Sequence, residues 1–85
     1  MRLDKFLQLS RLVRRRALAN SLCHAGRVTL NGRGAAPSAA VRPGDVVTVD
    51  VTDRHVRARV LAVPEGRARP DATDWIEILE ERTAE

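Results

Sequence analysis

Eighty-five residues, 44% of them apolar, suffice for one small folded domain and exclude both a second core and wholesale disorder. Fifteen Lys/Arg stand against eleven Asp/Glu, but the charge is unevenly placed. Residues 1–45 hold nine basic and two acidic side chains, a balance of +7, whereas residues 46–85 hold six and nine, a balance of −3.

The chain opens on Leu3, Phe6 and Leu7 at helical spacing, and the same sixteen residues carry Arg2, Lys5, Arg11, Arg14, Arg15 and Arg16. A disordered basic tail has no use for the apolar set, and a purely structural helix has no use for three consecutive arginines. The stretch reads as a folded surface that presents cations to a polyanion. Asp4 falls where a first-turn carboxylate or N-cap satisfies free backbone N–H groups, or where it holds an arginine in its working direction. Ser10 is the expected start of a second helix, in which Leu18, Ala19, Leu22, Cys23 and Ala25 share the apolar face and Asn20, Ser21 and His24 lie elsewhere. Arg15 falls inside that apolar arc on a helical wheel, so it must sit in the first turn or precede it. That places the triple arginine at the mouth of the helix, beside its partly positive end. Gly26 marks the left-handed stop.

Arg27 to Leu30 followed by Asn31-Gly32 is a hairpin signal, because both turn residues tolerate positive φ. The return strand, Arg33 to Ala36, is short, and Pro37 to Ala40 is a loop. A Pro43-Gly44 turn leads into a strand on Val46, Val47, Val49 and Val51, and Arg54 to Val63 makes another. Asp71 to Asp74 is the expected cap of a C-terminal helix running from Trp75 to about Arg82. The alternation of Ile76 and Ile78 argues for a strand there instead; the helix is the preferred reading. The fold class is therefore α+β: two N-terminal helices on a small, mostly antiparallel sheet, with a short C-terminal helix. Residues 1–50 form the basic domain, and residues 51–85 are a strand-and-tail extension packing on it.

Catalysis finds little support in these residues. His24 and His55 lie on different elements with no metal-ligand spacing around them, so we expect no enzyme, no metal and no cofactor. Cys23 and His24, adjacent on a helix, point about 100° apart and read as a buried thiol next to a solvent-facing imidazole. Cys23 is the single cysteine, which rules out an internal disulfide and favours a reducing compartment. No apolar run approaches the roughly 20 residues of a membrane span, and no apolar stretch follows the basic N-terminus as in a signal peptide. We expect a cytoplasmic protein with no membrane or small-molecule partner.

Phe6 and Trp75 are the only aromatic residues, and Phe6 is spaced for the core, so a platform for stacking successive bases is excluded. Folded RNA, gripped through phosphates and shape, fits better than splayed single strands. Two other readings remain: a regulator placing an Arg-rich helix in a DNA groove, and a protein–protein adaptor whose arginines only solvate a surface.

The ordered series Met1-Arg2-Leu3-Asp4-Lys5-Phe6-Leu7, Ser10-Arg11, Arg16, Gly26-Arg27-Val28, Asn31-Gly32, Pro37-Ser38 and Pro43-Gly44-Asp45 resembles the S-four RNA-binding domain over about residues 1–50. The resemblance implies an αL motif whose helices and first hairpin face RNA. By position it implies RNA contacts from Arg2, Lys5, Arg11, Arg14, Arg15 and Arg16, with Arg27 and Ser38 secondary, and structural support from Asp4, Asn31 and Gly32. Ala36 stands where the family often has a lysine, which removes one expected RNA-binding side chain. Among stand-alone members, the short tail Trp75-Ile76-Glu77-Ile78-Leu79-Glu80-Glu81 is similar to quality-control factors of the RqcP type, and differs from the long basic extension of the heat-shock protein fifteen type. The resemblance implies binding to rRNA of an obstructed large ribosomal subunit and to its peptidyl-tRNA. It further implies a partner of the RqcH type during C-terminal alanine tailing of stalled chains, or, alternatively, a heat-shock-type recycling role.

Overall fold

The stripe of Leu3, Phe6 and Leu7 winds the first helix, α1 (Leu3–Leu9), and all three side chains are fully buried. The computed structural model describes residues 1–63 and 75–83. Ser10 does not start the second helix. It closes the first one, with its hydroxyl donating to the Leu7 carbonyl at 3.3 Å and its backbone in the αR region. Arg11 follows at φ 65°, a left-handed backbone that ends helical propagation, so a connector intervenes before α2 (Arg16–His24). Leu12 and Val13 drop from that connector into the core. Arg15 is the extended residue just before α2, as its place on the helical wheel requires, and Gly26 ends the helix at φ 75°. The expected apolar face of α2 is narrower than its pattern: Ala19 and Cys23 are buried and Leu22 is half-buried, while Ala25 is exposed and Leu18 is 49% exposed.

The remaining elements form one antiparallel sheet in the order β2-β1-β3-β4-β5, with β1 (Val28–Leu30), β2 (Arg33–Gly34), β3 (Val46–Val51), β4 (Arg54–Val60) and β5 (Ile76–Thr83). Asn31 and Gly32 make the β1–β2 turn with φ 55° and 82°, both positive as a type I′ turn demands. The Asn31 amide also donates to Asp45 Oδ1 at 3.1 Å, while its oxygen accepts the Val46 N–H at 2.8 Å. The hairpin tip is thereby pinned to the start of β3. Alternation decides the faces. Val47 and Val49 on β3 and Val56, Ala58 and Val60 on β4 turn inward with the helices, and His55, Arg57 and Arg59 turn outward.

The C-terminal segment corrects the expectation of a helix. Ile76 to Thr83 is an edge strand paired along the whole of β4, from Val60 opposite Ile76 to Arg54 opposite Thr83. Its backbone completes hydrogen bonds that β4 would otherwise leave open, and Arg54–Glu81 (2.8 Å) and Arg59–Glu77 (3.0 Å) bridge the two strands. Ile76 packs against the core, whereas Ile78, beside a register shift opposite Arg57 and Ala58, is 46% exposed. The expected cap at Asp71 to Asp74 lies outside the described residues. Trp75 sits at the head of β5, 6% exposed, with its ring centroid 6.5 Å from that of Phe6, so both aromatic residues belong to the core.

Candidate nucleic-acid interface

Two geometrical facts build the site. The first is a buried carboxylate at its centre. Asp4, 2% exposed on the first turn of α1, accepts the Lys5 N–H at 2.7 Å and two hydrogen bonds from the Arg2 guanidinium at 3.2 and 3.3 Å. Arg16, the first residue of α2, brings its Nε to 3.5 Å from the other side, and the Asn20 amide stands at 3.5 Å. Both arginine side chains remain half exposed. One carboxylate thus fixes two cations, Arg2 just before α1 and Arg16 at the start of α2, and leaves a net positive charge. Burial alone would raise the Asp4 pKa; the hydrogen bonds from Arg2, Asn20 and the Lys5 N–H, with the Arg16 charge, outweigh it and hold the carboxyl below its usual 3.8.

A depressed acid contributes stability above its unfolded pKa and loses it as pH falls through the folded one. Asp4→Asn is accordingly expected to lower stability at neutral pH by roughly 1–3 kcal/mol as charge-assisted bonds disappear. The gap to wild type should close below pH 3.8 as Asp4 itself protonates. Urea titrations at pH 7 and at pH 3 check this, and a gap unchanged between the two pH values would exclude the Asp4 charge as its source.

The second fact is a division of labour among the arginines. On the acidic half of the chain three of the four described arginines are spent internally: Arg54 on Glu81, Arg59 on Glu77 and Arg82 on Glu80, whose carboxyl Arg82 holds below its ordinary pKa. On the basic half they are not. Among the described residues no carboxylate lies within ion-pair distance of Lys5, Arg11, Arg14, Arg15 or Arg27. Arg14 and Arg15 precede α2 directly and are exposed, so their charge adds to the positive end of that helix. Arg11 and Arg14 share a depression lined by Gln8, Leu9 and Val13. Ser38 is exposed in a loop that packs on the start of α1, where the Pro37 and Ala39 carbonyls accept the Asp4 and Leu3 N–H groups at 3.1 and 2.9 Å. Arg27 follows Gly26 beyond the far end of α2, a helix about 14 Å long that begins at Arg16. It stands apart from the cluster.

Asn20 belongs to the site although its residue type did not single it out, and Ser21 lines the same depression as Arg2, Asp4 and Arg16. A signal was present: Asn20 is four residues after Arg16 and so on the same helical face. Cys23 is 6% exposed, and burial, then the Asp4 charge, pushes its thiol pKa up, which keeps it protonated and unreactive. No group of three or more His, Cys, Asp or Glu among the described residues is arranged to hold a metal. No described helix is long and apolar enough to cross a membrane.

Comparison with known proteins adds the lineage. The S4 domain family matches residues 1–47, the span that carries both helices, the hairpin and every residue of the arginine cluster. This chain belongs to the S4 domain family. The match continues past the domain. A Bacillus subtilis protein named RQC P-site tRNA stabilizing factor is 40% identical over 81 residues, covering 95% of this chain and 94% of that protein. A Helicobacter pylori protein of the same name is 44% identical over 64 residues, covering 75% of this chain and 76% of that one. Among solved structures, trimeric Heat Shock Protein 15 from Vibrio cholerae superposes with a TM-score of 0.79 at 29% identity, covering 92% of this chain and 80% of its own. The α+β arrangement of two helices on an antiparallel sheet is common to this S4 protein and that neighbour.

Proposed function

We propose that this S4 protein binds structured RNA without catalysis, gripping phosphates with the cluster around the start of α2. Its place of action is the large ribosomal subunit, where it contacts rRNA and peptidyl-tRNA in the cytoplasm during ribosome-associated quality control. The observation that carries the reading is the division among arginines: among the described residues, three of the acidic half's four are paired with glutamates, while most of the basic half's are left to an external anion. Neutralising phosphates releases counterions and supplies affinity without reading sequence, which suits a surface of exposed arginines with no exposed aromatic ring. The names of the relatives, matched nearly end to end, support the P-site tRNA as one ligand. Support for an RqcH-type partner during alanine tailing runs through the same likeness.

A second reading, recycling of obstructed large subunits, draws on the structural likeness to Heat Shock Protein 15. The two part on what copurifies: the quality-control reading expects enrichment of large subunits bearing peptidyl-tRNA together with an RqcH-type factor, and the recycling reading expects large subunits without one. In solution, about five neutralised phosphates should make log K for a folded rRNA fragment fall with log salt at a slope of roughly −3.5 to −4.5. A flat dependence would sink RNA binding and favour the adaptor. Duplex DNA competing as well as rRNA would favour a DNA regulator. Arg2→Ala and Arg16→Ala, each on a folded chain, should reduce the fraction cosedimenting with large subunits.

A further inference from the structure

Between the connector, α2 and the β3–β4 hairpin lies a cleft of about 470 Å³, within the roughly 300–1,000 Å³ typical of ligand sites. Its floor is aliphatic. Leu18 and Leu22 line it from α2 and Val51 from β3, and Leu18 is the most exposed large apolar side chain among the described residues. Arg11 and Arg14 stand on the connector side, and Asp53 and Arg54 stand on the hairpin side. Arg54, next to Asp53, is held by Glu81 at 2.8 Å, so Asp53 has no ion-pair partner among the described residues. The Arg11 backbone adds a further sign of purpose: a left-handed φ of 65° costs about 1 kcal/mol or more in a residue other than glycine, and here it sets where the side chain leaves the connector.

Free cations at one side, an apolar floor, and at the other an unpartnered carboxylate beside an arginine already neutralised by Glu81 describe a ligand with three parts. It is anionic at one end, flat and apolar in the middle, and hydrogen-bond donating at the far end. An acidic peptide meets the first two demands and is repelled by Asp53. A nucleotide meets all three, and the bases differ in how well. A carboxylate only accepts hydrogen bonds, and guanine offers it two adjacent donors, N1–H and the 2-amino group. Adenine and cytosine offer an amino group beside a ring acceptor, and uracil offers one N–H between two carbonyl oxygens. An arginine plane can also cover the base face that the floor leaves open.

We propose that this cleft takes the base of an unpaired guanine nucleotide extruded from folded RNA, with Arg11 and Arg14 on its flanking phosphates and Asp53 on its Watson–Crick edge. The site rests on the RNA reading and deepens it, because it gives an otherwise sequence-blind phosphate surface one position where a base is read.

The test is a titration of the full chain, methyl-labelled for NMR, with each of the four nucleoside monophosphates and with ribose 5-phosphate. GMP should shift the Leu18, Leu22 and Val51 methyl signals and bind at least about fivefold more tightly than AMP, CMP or UMP, the discrimination of one good bidentate pair. Asp53→Ala should erase that preference, so that GMP binds no more tightly than the other three nucleotides. Asp53 is an exposed hairpin residue with no side-chain hydrogen bond among the described residues, so the variant should fold. Equal shifts with all four nucleotides, or with ribose 5-phosphate alone, would overturn the base pocket, as would an acidic peptide displacing GMP. The same samples carry the control for the underlying reading. A steep salt slope for folded RNA without nucleotide preference rejects the pocket alone; a flat slope rejects RNA binding itself.

Discussion

Replacing Arg14, Arg15 and Arg16 together by alanine is expected to weaken binding to folded rRNA by about 10²–10³-fold and to flatten the salt slope by about 2 to 3. The slope follows from three phosphates no longer neutralised at roughly 0.7–0.9 each. The affinity follows from about 1–1.5 kcal/mol for each charge-assisted hydrogen bond to phosphate that the variant no longer makes. The fold should survive, because all three side chains are exposed and none enters the core. Arg15 occupies the N-cap position of α2 without a side-chain cap bond, so alanine removes no cap there, and alanine is the better helix former at Arg16. The one internal change is at the 3.5 Å approach of Arg16 to Asp4, which keeps its bonds to Arg2. Circular dichroism should show a thermal midpoint within about 4 °C of wild type. A control on the other half sharpens the result. Arg54→Ala with Arg59→Ala removes two cations already paired with Glu81 and Glu77, so it should cost some stability and leave the salt slope unchanged. If both variants flatten the slope equally, net charge rather than the α2 cluster governs binding.

The elements legible in the sequence are those whose cause is local. Asn31-Gly32 needs only two positive φ angles, Gly26 only one, and Leu3, Phe6 and Leu7 only the helical period. Arg15 could be placed by exclusion, since a cation cannot stay in the middle of an apolar arc. The C-terminal strand was signalled only by the alternation of Ile76 and Ile78 and lost to the helix, because its cause is distant: Ile76 to Thr83 is extended because β4 offers it a partner along its whole length, and residues of mixed helix and strand propensity accept either state. The Ser10 boundary failed for a related reason. A left-handed arginine after a buried serine ends α1, and neither residue type announces that in the chain. In the site, the cations could be counted from the sequence, but their pairing could not. Only the fold shows that Arg54, Arg59 and Arg82 are spent on glutamates of β5 while Lys5, Arg11, Arg14 and Arg15 are not, and that is the distinction on which the proposed function turns.

Trp75→Ala is expected to destabilise the domain by about 3–5 kcal/mol, out of the roughly 4–13 kcal/mol that a chain of this length commands. Trp75 links the two ends of the chain. Its ring packs near Phe6 of α1 with centroids 6.5 Å apart, and its carbonyl accepts the Leu61 N–H at 2.8 Å at the end of β4. Removing the ring opens a cavity beside Phe6, in the same core as Leu3 and Leu7, the side chains that seat the helix bearing Lys5. The indole N–H is buried with no acceptor among the described residues, so its loss forfeits no hydrogen bond there and the destabilisation is one of packing. Trp75→Phe separates packing from polarity: it keeps an aromatic ring beside Phe6 and removes the unsatisfied donor, so it should cost less than about 1.5 kcal/mol. Urea unfolding followed by far-UV circular dichroism measures both, since the variants lack the chain's single tryptophan as a fluorescent reporter. Equal destabilisation by alanine and phenylalanine would assign the effect to a hydrogen bond of the indole and not to the packing of the ring on α1. Weaker RNA affinity in Trp75→Ala at temperatures where the variant is still folded would show that the C-terminal residues hold the arginine cluster in register through the core.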